Sequence, residues 1–192
     1  MTRNARLRGG PPGEVRLIGG LWKRSKLPVA DRPGLRPTPD RVRETLFNWL
    51  GRDLTGWRVL DAFAGSGALG FEAASRGAAE VVLLESDRVL LASLAAVKAR
   101  LGATAVQVIA ADALAWLARC TPARFELVLL DPPFEADLFD AALAAAAPAV
   151  VAGGFVYLEA PHQLVELPAG LDLHRHLRAG TVHAHLLRRA QD

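Results

Sequence analysis

The stretch Trp57-Arg58-Val59-Leu60-Asp61-Ala62-Phe63-Ala64-Gly65-Ser66-Gly67-Ala68-Leu69-Gly70-Phe71-Glu72-Ala73 reads as a short strand, a glycine-rich turn and the start of a helix. Gly65, Gly67 and Gly70 satisfy G-x-G-x-x-G, a spacing that lets backbone approach a ligand and then packs a helix closely on a strand. By itself the pattern is also that of a dinucleotide site. Asp61, four residues before the first glycine, argues otherwise. A fixed anion at a strand end suits the ammonium of an amino-acid-bearing cofactor and repels a pyrophosphate.

Working downstream, the apolar run Glu80 to Leu84 ends in Glu85, twenty residues beyond Gly65. At that spacing an acid reaches a ribose hydroxyl pair, in a nicotinamide cofactor and in S-adenosylmethionine alike. Ala105 to Ala111 ends in Asp112, suited to an adenine edge or, more plainly, to capping the helix Ala113 to Ala118. The run Phe125 to Leu130 ends in Asp131-Pro132-Pro133-Phe134. Proline cannot continue a ladder, so the two prolines stiffen the exit and leave carbonyls free to accept hydrogen bonds. An acid, free carbonyls and a flat aromatic at a strand tip suit a planar amine. Runs of branched apolar residues bounded by turns read as parallel strands buried on both faces, and in such sheets ligands bind beyond the carboxyl ends. Asp61, Glu85, Asp112 and Asp131 would then line one edge of one sheet.

The segments Asp-x-Phe-Ala-Gly-Ser-Gly-x-Leu-Gly, Leu84-Glu85-Ser86-Asp87 and Asp-Pro-Pro-Phe together resemble the class I S-adenosylmethionine-dependent methyltransferases that modify exocyclic amines. Ile18-Gly19-Gly20-Leu21-Trp22, Lys26-Leu27-Pro28 and the segment Pro33 to Leu50 narrow the resemblance to the RsmD family. Its members methylate N2 of a 16S ribosomal RNA guanine, position 966 in standard numbering. The resemblance runs from about Val15 to Arg189. It departs at Lys23-Arg24-Ser25-Lys26-Leu27, where the family commonly has Arg-Gly-Arg-Lys-Leu, so a glycine turn gripping RNA is in question there.

The resemblance implies a Rossmann-like three-layer α/β sandwich. Its sheet would be seven-stranded and mostly parallel with an antiparallel last strand, preceded by a small β-hairpin and a helix. A tail over 1–14, an RNA-binding and cofactor-covering extension over 15–56 and a methyltransferase domain over 57–192 follow. The implied S-adenosyl-L-methionine site comprises Asp61, Phe63, Ala64, Gly65, Ser66, Gly67, Leu69, Gly70, Glu85, Ser86, Asp112 and Ala113, covered by Arg36, Thr38 and Arg41. Asp131, Pro132, Pro133 and Phe134 would be catalytic, and Trp22, Lys23, Arg24, Lys26, Arg36 and Arg43 would bind RNA. The implied partner is 16S rRNA in a partly assembled small ribosomal subunit, met by a cytoplasmic monomer.

Composition agrees. The 192 residues, 51% of them hydrophobic, can bury one substantial core, with no apolar run long enough to cross a membrane. A single cysteine, Cys120, rules out an internal disulfide and lies away from every strand-tip motif, which disfavours cytosine-C5 methyl transfer through a cysteine nucleophile. The net charge of +3 hides an asymmetry: 13 Lys/Arg against 5 Asp/Glu through Arg58, and 10 against 15 beyond it. The basic part is the natural RNA-facing one. Trp22 either stacks on a base or closes a hairpin of Val15 to Ile18 with Lys26 to Val29, turned at Gly19-Gly20. Thr38 reads as the N-cap of a helix with Pro39 at its first position, packing Val42, Leu46, Trp49 and Leu50 inward. Gly153-Gly154 reads as a turn before the strand Phe155 to Glu159. His174 with His176 and His183 with His185 are i, i+2 pairs lacking an acid or cysteine partner at ligand spacing, so an exposed strand face or an RNA contact, and no metal, are expected.

Three rivals share parts of the pattern. Adenine-N6 methyl transfer suits Asp-Pro-Pro-Phe equally, a nicotinamide oxidoreductase rests on the glycines alone, and a non-catalytic RNA-binding assembly factor would keep the fold without the chemistry.

Overall fold

The computed structural model describes residues 13–30 and 38–191. Arg36 and residues 1–12 of the expected tail lie outside the described residues. Five strands end at one edge of a central sheet: β3 (Arg58–Asp61), β4 (Glu80–Glu85), β5 (Val106–Ala110), β6 (Phe125–Leu130) and β7 (Val150–Ala160). They pair in parallel; the last strand, β9 (Val182–Arg189), runs antiparallel to β7, and β8 (Leu171–Ala179), antiparallel to β9, runs with the other five, giving the order β5-β4-β3-β6-β7-β9-β8. The chain thus has the class I methyltransferase sheet, and β9 is inserted between β7 and β8.

Alternation along each strand makes the three layers. Val59, Val81, Leu83, Leu127, Leu129 and Tyr157 point to one face, against α1 (Asp40–Trp49), α2 (Ala68–Ser75) and α3 (Arg88–Leu101). Leu60, Val82, Leu84, Val128, Leu130, Val156 and Leu158 point to the other, against α4 (Ala113–Leu117) and α5 (Phe139–Ala146). Val81 to Leu84 are wholly buried, which suits strands covered on both faces. Each such side chain contributes about 1.5–3 kcal/mol. Helix α3 begins where Asp87 accepts the N–H groups of Val89 and Leu90 at 2.7 and 3.1 Å, and ends at left-handed Gly102, φ 60°.

The hairpin forms from β1 (Gly13–Arg16) and β2 (Lys26–Val29), with β1 two residues earlier than the Val15 to Ile18 that the sequence suggests. Its turn docks on the C-terminal end of α2. Leu21 N–H donates to the Ser75 carbonyl at 2.7 Å and Trp22 N–H to Ser75 Oγ at 2.9 Å. Gly20 has φ 73°, and a Cβ there would lie 1.8 Å from the Ser75 oxygen. Only glycine fits so close a backbone approach.

Three local expectations are corrected. Thr38 is not the cap of α1: the helix begins at Asp40, Pro39 occupies the cap position without a side-chain bond, and the Thr38 hydroxyl is directed at Asp131. Gly153-Gly154 is no turn but an irregularity within β7, where the register against β6 shifts between Phe125 and Leu127. The histidines do not form separate exposed pairs. Antiparallel pairing of β8 with β9 sets His176 opposite His185, and His176 Nε2 lies 3.0 Å from His183 Nδ1. His185 is fully buried, with Leu164 N–H donating to its Nε2 at 3.2 Å.

Candidate active site

A cavity of about 850 Å³ opens at the carboxyl ends of β3, β4, β6 and β7. Asp61, Phe63, Ala64, Gly65, Ser66, Leu69, Glu85, Ser86, Asp112 and Ala113 line one part of it, and Asp131, Pro132, Pro133 and Phe134 another. Thr38 lies between the extension and the sheet at the same opening.

Each acid meets a different environment. Asp61 ends β3, is buried, and accepts the Gly70 N–H on Oδ2 at 3.0 Å. Its Oδ1 has no hydrogen-bond partner. Burial, with Glu85 nearby, pushes its pKa up to about 7 against the pull of the Gly70 and Phe63 amides. A buried carboxylate oxygen without a donor is what an incoming ammonium would satisfy. Glu85, at the tip of β4, gathers the amides of Gly65, Ser86 and Asp87 at 3.0, 2.7 and 2.9 Å and so shapes the loop wall. Asp112 caps α4 by accepting the Ala115 N–H at 2.8 Å, as the plainer of its two expected roles has it.

Gly65 has φ 53° and lines the cavity. Gly67 and Gly70 do not line it; they serve packing. A Cβ on Gly67 would meet the Phe71 and Leu94 side chains at 2.6 and 2.7 Å, and one on Gly70 would meet Leu83 at 2.2 Å.

Asp131 follows β6, half-buried, with the Thr38 hydroxyl donating to its Oδ2 across a long 3.4 Å. Its pKa is raised well above the usual carboxylate range, first by burial and then by Glu159 and Asp61. Phe134 opens a 3-10 turn, Phe134–Ala136, and its ring meets Phe139 edge-on at 5.7 Å and 71°. That contact fixes the ring beside the acid.

Glu159 was missed by sequence reasoning. It is 3% exposed, lines the cavity, and accepts the Tyr157 hydroxyl at 2.8 Å. It follows an apolar run, Phe155 to Leu158, just as Asp61 and Asp131 follow theirs, so the signal was available. The turn Ala179 to Val182 between β8 and β9, whose Gly180-x-Val182 is part of the family resemblance, also lines the cavity.

Of the residues expected to meet RNA, Lys23, Arg24 and Lys26 are exposed and Trp22 is half-buried against the core. Lys26 pairs with Glu14 at 2.7 Å. Trp22 to Arg24 sit at the C-terminal end of α2, one helix length of roughly 12 Å from its glycine-loop end. Arg41 is exposed on α1 and does not line the cavity. Arg43 cannot contact RNA: its side chain is wholly buried, with Nε donating to the Thr38 carbonyl, and Nη2 to the Arg16 carbonyl and Asp40 at 3.0 and 2.5 Å.

Among the described residues one group has metal-ligand composition, His176, His183 and His185, whose ring nitrogens lie within 4.8 Å of one another. The nitrogens of His176 and His183 already face each other at hydrogen-bond distance, and His185 Nε2 accepts a backbone amide.

Known proteins match along nearly the whole chain. The family described as "Conserved hypothetical protein 95" matches residues 15–188. Ribosomal RNA small subunit methyltransferase D of Escherichia coli strain K12 is 43% identical over 185 residues, 92% of this chain and 91% of its own length. The protein of that name from Haemophilus influenzae is 46% identical over 134 residues, 68% of this chain and 69% of its own. The solved structure of the putative methyltransferase yhhF from Escherichia coli superposes with a TM-score of 0.84 at 38% identity, covering 94% of this chain and all of that one. Sequence, sheet order and cavity therefore agree: the chain belongs to the RsmD family of small-subunit ribosomal RNA methyltransferases.

Proposed function

We propose that this protein transfers a methyl group from S-adenosylmethionine to N2 of a guanine in 16S rRNA, guanine 966 in standard numbering. The observation that carries the proposal is one cavity lined both by the glycine loop with its acids and by Asp131-Pro132-Pro133-Phe134. The residues fit the cofactor. Asp61, whose Oδ1 lacks a donor, would hold the ammonium; Glu85 would take the ribose hydroxyls; Asp112 and Ala113 would border the base; Gly65 lets backbone come close. Bound there, the cofactor supplies a sulfonium methyl that is electrophilic without help from a metal.

The acceptor sets the chemical problem. The lone pair of a guanine exocyclic amine is delocalised into the ring, so the amine is a poor nucleophile. Asp131 and the Pro132 carbonyl would accept its two N–H bonds, favouring the more tetrahedral nitrogen of the transition state. Phe134 would stack on the flipped base, and alignment of N2 with the methyl supplies much of the remaining acceleration. The excess proton leaves after the nitrogen becomes cationic, to Asp131 or to water. The basic extension would hold the RNA, with Lys23, Arg24 and Lys26 accessible for phosphate contacts.

The deciding experiment is methyl transfer from labelled S-adenosylmethionine to small subunits isolated from cells lacking this activity, followed by mapping of the labelled nucleotide. Label on N2 of one 16S guanine is expected. Label on adenine N6, or none, would overturn the proposal.

A further inference from the structure

The tips of β6 and β7 carry a second acid beside Asp131. The two strands run parallel with Leu130 opposite Leu158, so the residues that follow, Asp131 and Glu159, leave the sheet at the same level. Neighbouring strands lie about 4.8 Å apart, and partners at one level project to the same face. Tyr157, two residues before Glu159 on that face, holds Glu159 Oε1 through its hydroxyl at 2.8 Å. Thr38 closes the other side with its hydroxyl on Asp131 Oδ2. Among the described residues neither acid has an ion-pair partner. The Arg43 guanidinium is engaged by the Arg16 carbonyl, Asp40 and Glu72.

Two carboxyl groups side by side, Glu159 buried and Asp131 half-buried, are costly unless donors face them. Burial raises the pKa of both, and Glu159 adds to the rise at Asp131. The cavity thus presents two adjacent acceptors that, among the described residues, no ion pair satisfies, although the Arg43 charge is felt at Glu159. The Watson–Crick edge of guanine offers the matching pair of donors, N1–H beside the N2 amine. Adenine offers an amine beside an unprotonated N1, whose lone pair would face a carboxylate.

We propose that Glu159 is a specificity-determining residue that accepts the N1–H of the target guanine while Asp131 accepts from its N2 amine, so that this pair selects guanine over adenine. The proposal rests on the guanine-N2 activity proposed above. Burial raises the Glu159 pKa, and the Tyr157 hydroxyl, donating to Oε1, works against that rise in favour of the carboxylate that accepts N1–H and repels a lone pair. A merely structural role for Glu159, anchoring Tyr157, would affect all acceptor bases alike.

The test uses reconstituted small subunits whose target nucleotide is either guanosine or 2-aminopurine riboside, which keeps the 2-amino group but has an unprotonated N1. The wild-type protein should prefer guanosine by about a hundredfold or more in kcat/KM, as sites built around a hydrogen bond do. Glu159→Gln, whose amide can donate to that N1, should bring the preference below about tenfold. Its S-adenosylmethionine affinity should match wild type, and its Tm should not fall below it. Wild-type use of both bases within threefold, or an equal loss on both in Glu159→Gln, would overturn the inference. Failure of the wild type to label guanosine subunits would instead overturn the guanine-N2 proposal on which it rests.

Discussion

Arg43 and Glu72 face each other at 3.8 Å with neither side chain exposed to solvent. Glu72, in the middle of α2, also accepts the amides of Ile18 and Gly19 at 2.7 and 2.8 Å and Arg76 Nε at 2.8 Å. Arg43, on α1, reaches the carbonyls of Arg16 and Thr38. This single buried network ties the hairpin, α1 and α2 together. Removing Glu72 takes the acceptor from the Ile18 and Gly19 amides and the only facing charge from Arg43 Nη1, which has no hydrogen-bond partner of its own among the described residues.

Glu72→Ala should therefore lower unfolding free energy by about 3–5 kcal/mol, the range for breaking a buried ion pair. Urea denaturation measures it. Loss below about 1 kcal/mol, the level of a surface pair, would show that the network does not carry the junction.

Asp131→Ala should lower kcat by at least about a hundredfold, the usual order for a lost transition-state contact. Calorimetric affinity for S-adenosylmethionine should persist. Near-normal turnover would remove Asp131 from the chemistry.

Asp61 gives a pH dependence whose sign follows from its raised pKa. The unfolded chain ionises this acid near 3.8 and the folded chain near 7, so between those values the native state holds more protons. Its contribution to stability falls as pH rises through that window, with the full cost present above it. Asp131 and Glu159 shift the same way, so the measure is the difference between wild type and Asp61→Asn. Without cofactor, the variant should gain Tm relative to wild type at pH 8 and not at pH 4, and should bind S-adenosylmethionine more weakly. A pH-independent difference would contradict the assignment.

His185 acts in the opposite direction. Burial, with His176 nearby, lowers its pKa from 6.5 to about 4, so the unfolded chain takes up the proton first as pH falls. Stability should decline from pH 6.5 toward 4. His185→Gln keeps polar groups for Leu164 and Leu158 and should flatten that decline. A thermal-shift series in matched buffers reads it directly.

Gly70→Ala should cost about 1–3 kcal/mol as overpacking, since the added methyl meets Leu83 at 2.2 Å and the Asp61 side chain at 3.1 Å. Cofactor affinity should fall with it because Asp61 must move. A variant with wild-type Tm and affinity would show that the glycine is not needed for packing.

The parallel strands and their acidic tips were legible because a strand buried on both faces leaves a continuous apolar run, and because turns and acids mark where it ends. Arg43 was not legible. A charged residue in a helix reads as outward-facing, and its burial depends on Glu72, supplied from α2. The Gly19-Gly20 turn could be read, yet its tight approach to Ser75 depends on tertiary docking. The histidines were misjudged because i, i+2 spacing shows which residues share a strand face but not which strand lies alongside. Register brought His176 to His185, and nothing local sets that register. Glu159 was overlooked for lack of a flanking motif, although it follows an apolar run as the other acids do.

The insertion of β9 between β7 and β8 fixes an order of events in time. During synthesis β8 emerges before the strand that joins it to the sheet, and must wait unpaired until Val182 to Arg189 follow. Until then β7 presents a bare edge, open to pairing with another chain. The turn Ala179 to Val182 has no fixed position over the cavity before β9 docks. Catalytic competence is thus a late event in this chain's own making, and any truncation or stalling upstream of Val182 yields an incomplete cavity and an aggregation-prone sheet.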